Sequence, residues 1–183
     1  MLEAAGVPFQ IVDTRADEDA TKEELSAKGL DAAAVAEALA LVKARGADAA
    51  PGDLVLGSDQ VLELEDGRML NKPVSRQDAF EQLKLLSGRR HSLHSAAVIV
   101  EGQEPVWRHV QCVQLTMRPL SDAFLDTYLD AEYHAIRWSV GGYRIEGLGV
   151  QLFDRIEGSH FAVLGLPLLP LLSFLRARGV LPS

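Results

Sequence analysis

The sequence predicts an α/β protein, and three observations carry that reading. Helical and strand-like apolar spacings alternate along the chain, their breaks fall at Gly, Pro and capping residues, and no segment repeats or drops into low complexity. At 183 residues with 48% hydrophobic content, the chain is long enough to bury a sizeable core as a single domain, 1–183.

Each element follows from local chemistry. Residues 1–5 read as the last turn of a helix, with Gly6 as its stop and Pro8 blocking extension. Residues 9–12 read as a short strand, and the charged, turn-rich stretch 13–29 as a surface loop with one short helix. Residues 32–45 predict a strong helix: Val35, Leu39 and Val42 recur at helical spacing, alanine fills the rest, and Gly46 stops it. Residues 53–63 suggest a pair of strands broken at Gly57. Glu65 to Gly67 forms a hairpin-type turn, and the chain returns through Met69 and Leu70 to Lys72 and Pro73. Ser75 caps the next helix with Asp78 three residues on, and Phe80, Leu83 and Leu86 share a face until Gly88. Strands at 94–100 and 112–117 are joined through Gly102 and Pro105. Ser121 caps a helix through Leu129, and a Pro-interrupted apolar helix runs over 166–178.

Composition excludes several functions. A net charge of −8 without a basic cluster argues against nucleic-acid binding. A small phosphorylated ligand would need a few focused Lys or Arg groups, or a divalent cation, against that field. The longest apolar run, 161–175, is broken by Gly165, Pro167 and Pro170 and is too short to span a bilayer. No signal peptide is expected at the start. One cysteine, Cys112, leaves no internal disulfide and no cysteine zinc cage, which suits a reducing cytoplasm.

Two residues stand out in "GSDQVLELEDGRMLNKP". Asp59 interrupts an apolar strand, and in α/β sheets ligands bind at strand ends, where a carboxylate holds a divalent cation or orients water as a base. Its alternative is an ordinary aspartate closing a strand. Lys72 precedes a proline, which holds it extended; if the turn folds the chain back, Lys72 lies on the strand beside Asp59. An ammonium and a carboxylate on neighbouring strands make a workable clamp for a phosphate. The glycines of "GGYRIEGLG" match neither a dinucleotide fingerprint nor a P-loop, so they read as bends and close approaches. Tyr143, Arg144 and Glu146 between them are either contacts to a base or ribose, or an exposed strand face. His91 and His94 fit no metal motif and read as structural or surface residues.

The segments "GSDQV…NKP…LKLLSGRRH" and "GGYRIEGLGVQLFDRIEGSHFAVLGLPLLPLL", in this order, resemble the Maf family of nucleoside triphosphate pyrophosphatases. The resemblance implies a mixed twisted sheet with flanking helices, two lobes around a central cleft, similar to inosine-triphosphate pyrophosphatase folds. It also implies hydrolysis of a nucleoside triphosphate to the monophosphate and pyrophosphate with a divalent cation (Mg, Mn or Co), in a cytoplasmic homodimer. By resemblance, Asp59 is the proton acceptor and a metal carboxylate, with Glu18 (or Asp17) as the second; Lys43, Lys72, Gln60 and Glu146 contact substrate.

The family's opening strand and Ser-x-x-Arg-Arg loop have no counterpart before "MLEAAGVPF", so either the true start lies upstream of Met1 or that part of the phosphate grip is missing. That makes a catalytically impaired nucleotide-binding protein, linked to cell division, the alternative. "GSDQ" and "WSVGGYRIEG" resemble the branch similar to 7-methyl-GTP pyrophosphatase, and there Glu146 places a carboxylate near the expected base.

Overall fold

The computed structural model describes residues 1–14, 21–22, 24–25 and 29–182. The α/β class holds. A five-stranded sheet has the order β2-β1-β3-β4-β5, with β1 Leu54–Leu64, β2 Met69–Leu70, β3 Arg90–Glu101, β4 Glu104–Met117 and β5 Phe153–Glu157. The helices are α1 Ala32–Arg45, α2 Arg76–Leu86, α3 Asp122–Ile136, the single turn α4 His160–Val163, and α5 Leu168–Ala177. Among the described residues no helix is long and apolar enough to cross a membrane.

By internal contacts the chain divides into two compact units. The first is Met1–Gln60, Ser95–Gln111 and Gly165–Ser183; the second is Val61–His94 and Cys112–Leu164.

The first unit contains α1, whose limits match the sequence prediction. Asp31 caps it, its carboxylate accepting from the Ala34 N–H at 2.8 Å. Val35, Ala36, Leu39, Ala40 and Ala44 are buried, as are Ala96 to Val100 of β3 and Leu168 and Leu171 of α5. The start of the chain is a 3-10 turn, Glu3–Ala5, closed by Gly6 at φ 69°. Residues 9–12 are not a strand. Ile11 is 87% exposed, and Phe9 and Val12 are each 47% exposed, so the apolar side chains that suggest a strand have no buried face to hold one. Nor does Gly57 break a strand: β1 runs unbroken for 11 residues. Gly102 and Gln103, at φ 56° and 73°, join β3 to β4 as a two-residue hairpin turn, the geometry that positive φ at both positions favours. Both strands extend well beyond the predicted segments, and Pro105 lies within β4.

The second unit holds β2, α2, α3 and the glycine-rich segment. Leu62 pairs with Leu70 across an antiparallel hairpin, and Gly67 at φ 83° closes its turn. Ser75 accepts from the Asp78 N–H at 3.0 Å, while the Asp78 carboxylate reaches back to the Val74 N–H at 2.9 Å. α3 runs seven residues past the predicted end. Its inward face is Leu125, Tyr128, Leu129, Glu132 and Ile136, set against Leu83, Leu86, Leu115 and Leu152 in one core. Each large apolar side chain buried there contributes about 1.5–3 kcal/mol. On the exposed flank, Arg76 of α2 reaches Asp126 and Asp130 of α3.

Candidate functional site

In the first unit a helix rests directly on a strand. A Cβ on Gly57 would lie 2.0 Å from the Ala40 carbonyl oxygen and 2.7 Å from the Ala44 nitrogen. Only glycine permits this approach, and the small side chain of Ala44 on α1 accommodates it. Alternate strand residues share a face, so Asp59 points the same way as Gly57, toward α1. Lys43, in the last turn of α1 between Ala40 and Ala44, donates from Nζ to Asp59 Oδ1 at 2.6 Å. Their side chains are 20% and 14% exposed, so the charge-assisted bond is partly withdrawn from water.

Ser58 and Gln60 face the other way. Ser58 Oγ lies 2.9 Å from both the Ala96 and Gly165 carbonyls, sharing one hydrogen between them. Gln60 Nε2 donates to Ser95 Oγ at 2.8 Å, and Ser95 is fully buried. Gln60 is thus next to Asp59 in sequence but on the opposite face of β1. A groove of 450 Å³ in this unit surrounds Leu54 and Leu56, at the other end of β1, and is not lined by Lys43, Asp59 or Gln60.

Lys72 belongs to the second unit and lies on no strand, contrary to the sequence expectation. β2 ends at Leu70, and Lys72 is exposed while Pro73, which has no N–H for a ladder, is buried. Glu146 is also in the second unit, exposed on an irregular segment rather than on a strand.

That segment is fastened from beneath. Gly141 and Gly142 take φ 77° and 69°, and a Cβ on Gly141 would meet Leu62 Cδ1 at 2.5 Å. Tyr143, buried, places its hydroxyl 2.7 Å from His91 Nε2 and its ring edge-on to Phe153 at 4.8 Å. Burial holds the Tyr143 phenol far above its ordinary range and pushes His91 down to about 4, so both are neutral near pH 7. The Tyr128 hydroxyl, likewise raised by burial, lies 3.4 Å from the Gly142 carbonyl. Arg144 turns back to α3 and donates from Nε to Glu132 Oε2 at 2.9 Å.

The structure therefore brings Lys43 and Asp59 together, with Gln60 one residue away, and carries Lys72 and Glu146 on the second unit. Glu18 and Asp17 lie outside the described residues. Among the described residues no group of three His, Cys, Asp or Glu could hold a metal ion. Asp59 is a partly buried hard oxygen donor, which suits in kind a Mg-type cation held by one or two carboxylates and substrate phosphates. His91 is structural, as the sequence indicated. Two polar groups escaped sequence reasoning: Ser95, which has no distinguishing pattern, and Glu132. The latter left a trace, since it occupies a core position in the spacing Leu125, Tyr128, Leu129, Glu132, Ile136.

Fold and site together define an α/β protein that presents a lysine-held carboxylate where helix and strand touch. The family model described as Maf-like protein matches residues 1–178. The chain belongs to the Maf family. A nucleoside triphosphate pyrophosphatase of Ruegeria pomeroyi is 50% identical over 100% of this chain and 92% of its own length. That of Caulobacter vibrioides is 45% identical over 99% and 91%. A 7-methyl-GTP pyrophosphatase of Rhizobium meliloti is 47% identical over 100% and 92%.

Proposed function

We propose that this protein is a nucleoside triphosphate pyrophosphatase, a hydrolase that cleaves the bond between the α and β phosphates. The observation that carries the reading is the 2.6 Å Lys43–Asp59 pair in a chain of the Maf family. Asp59 accepts a proton from water as the water oxygen bonds to the α-phosphorus; the bond to the bridging oxygen breaks and pyrophosphate leaves with its electron pair. Little covalent work falls to the protein, so placement and charge dominate. Lys43, already within reach of the carboxylate, brings a cation to the phosphate oxygens. Lys72 adds a second cation toward the leaving group.

Asp59 and Glu18 would hold a divalent cation (Mg, Mn or Co). When bound, it supplies charge neutralisation on the phosphates and a more acidic water. Glu146 contacts the nucleotide, and its carboxylate accepts from guanine N–H groups and favours a cationic base such as that of 7-methyl-GTP. Homodimerisation and a cytoplasmic location complete the reading, supported by the family resemblance and the single cysteine.

The test is a panel of 7-methyl-GTP, GTP, dTTP and UTP with Mg, Mn or Co, products resolved chromatographically. Monophosphate and pyrophosphate in equal amounts, fastest from 7-methyl-GTP, are expected. Release of orthophosphate instead, or no hydrolysis with any cation, would overturn the activity; equal or faster dTTP hydrolysis would overturn the base preference alone.

A further inference from the structure

We infer that Glu132, acting through Arg144, is the positioning residue for Glu146 and thereby sets how strongly the protein discriminates between bases; the inference rests on the assignment of Glu146 as a base contact.

Glu132 is a carboxylate on the inward face of α3, only 9% exposed as a residue, one helical turn from Tyr128. A carboxylate in that position requires a cationic partner, and Arg144 Nε supplies it at 2.9 Å. The pair does not hang beside the segment; the segment lies on it. A Cβ on Gly147 would meet Glu132 Oε2 at 3.0 Å and Arg144 Nε at 3.1 Å. A Cβ on Gly149 would meet the Arg144 carbonyl oxygen at 2.4 Å and the Tyr128 hydroxyl at 3.0 Å. The backbone of Gly147 and Gly149 is therefore pressed against Arg144 and its partners, and the exposed Glu146 lies between Arg144 and Gly147. Tyr143, locked to His91, fixes the entry to this turn. The carboxylate of Glu146 thus stands on a short backbone loop whose underside is one half-buried ion pair. A group that must meet a flat heterocycle at hydrogen-bond distance works only if its own backbone is held to within tenths of an ångström.

A packing role alone would lower stability or reduce activity on every nucleotide alike. A positioning role moves the ratio between nucleotides. The experiment measures kcat/KM for 7-methyl-GTP and dTTP, and Kd for 7-methyl-GMP and dTMP, in wild type, Glu132→Gln, Glu146→Gln and the double variant. Glu132→Gln is expected to lower the 7-methyl-guanine over thymine ratio about tenfold while dTTP turnover stays within about twofold. The double variant should match Glu146→Gln alone, since a group whose orientation no longer matters cannot be misplaced.

Gly147→Ala, which pushes only on side-chain ends, should lower the same ratio by a smaller factor. It keeps the test open should Glu132→Gln fold poorly. An unchanged ratio in either folded variant, an equal loss on both nucleotides, or additive effects in the double variant would overturn the proposal. The Kd ratios need no turnover. A chain that releases no pyrophosphate but loses discrimination on Glu132→Gln refutes the hydrolase reading and upholds this one. Hydrolysis with discrimination indifferent to Glu132 does the reverse.

Discussion

The two places where this protein holds the carboxylates proposed to serve catalysis and base choice are built by opposite means. Asp59 stands on a regular strand against a regular helix, and its partner Lys43 reaches it because two backbones touch at Gly57. Glu146 stands on an irregular turn kept in shape by glycines, a buried tyrosine–histidine bond and a half-buried ion pair. The first arrangement takes its accuracy from hydrogen-bonded ladders and costs little specific chemistry. The second requires a dedicated polar partner beneath each turn, because irregular backbone has no ladder to fix it. Under the proposed roles, catalytic placement and base choice should therefore be separable by mutation.

The largest expected effect breaks the first region chemically. Asp59→Asn should slow pyrophosphate release about a thousandfold, within the range for loss of a general base, with far-UV circular dichroism unchanged. Retained turnover would remove Asp59 from the mechanism. Gly57→Ala breaks the same region mechanically: its methyl must displace α1, costing about 3 kcal/mol and lowering Tm by about 6–12 °C. Activity should fall along with it as Lys43 withdraws; a variant as stable as wild type would show that the helix yields without strain.

The second region is tested through pH. His91 titrates near 6.5 when unfolded and near 4 when folded, its burial disfavouring the cation. The unfolded chain therefore binds the proton first, so stability is full above pH 6.5 and falls as pH drops toward 4. Between pH 6.5 and 5 that is about 2 kcal/mol. Urea denaturation of wild type should show this loss beyond that of His91→Gln; parallel curves would mean His91 is protonated in the folded protein. Smallest of all, Arg76→Ala removes an exposed link between α2 and α3 that touches neither region, and should shift Tm by no more than about 2 °C. A larger shift would place that surface network among the supports of the second unit.

How much of this could be read from the residues divides along the same line. α1 and its limits, the Ser75 cap and the turn at Gly67 follow from local rules, because each is decided by neighbours within four positions. Asp59 was conspicuous because a carboxylate breaks an apolar strand pattern. Gly57 misled for a non-local reason: a glycine in a strand signals a bend or a close approach, and the approaching helix comes from residues 40 and 44. Residues 9–12 had strand composition but their apolar side chains stay exposed, and Lys72 had an extended neighbourhood but no ladder beyond Leu70. Glu132 was legible only to a reading that carried α3 past Leu129, since its oddness lies in facing the core.

The contact at Gly57 has a further consequence for how this protein can change. Two backbones in direct touch cannot slide by fractions of an ångström, as packed side chains can. The next seat for α1 along β1 is a full helical turn away, about 5.4 Å, far beyond the reach that keeps Lys43 on Asp59. The pairing is indexed, like a tooth in a rack, and gradual adjustment of it is closed to single substitutions. Variation in what the protein accepts has to enter where the backbone is irregular and its supports can be exchanged one side chain at a time.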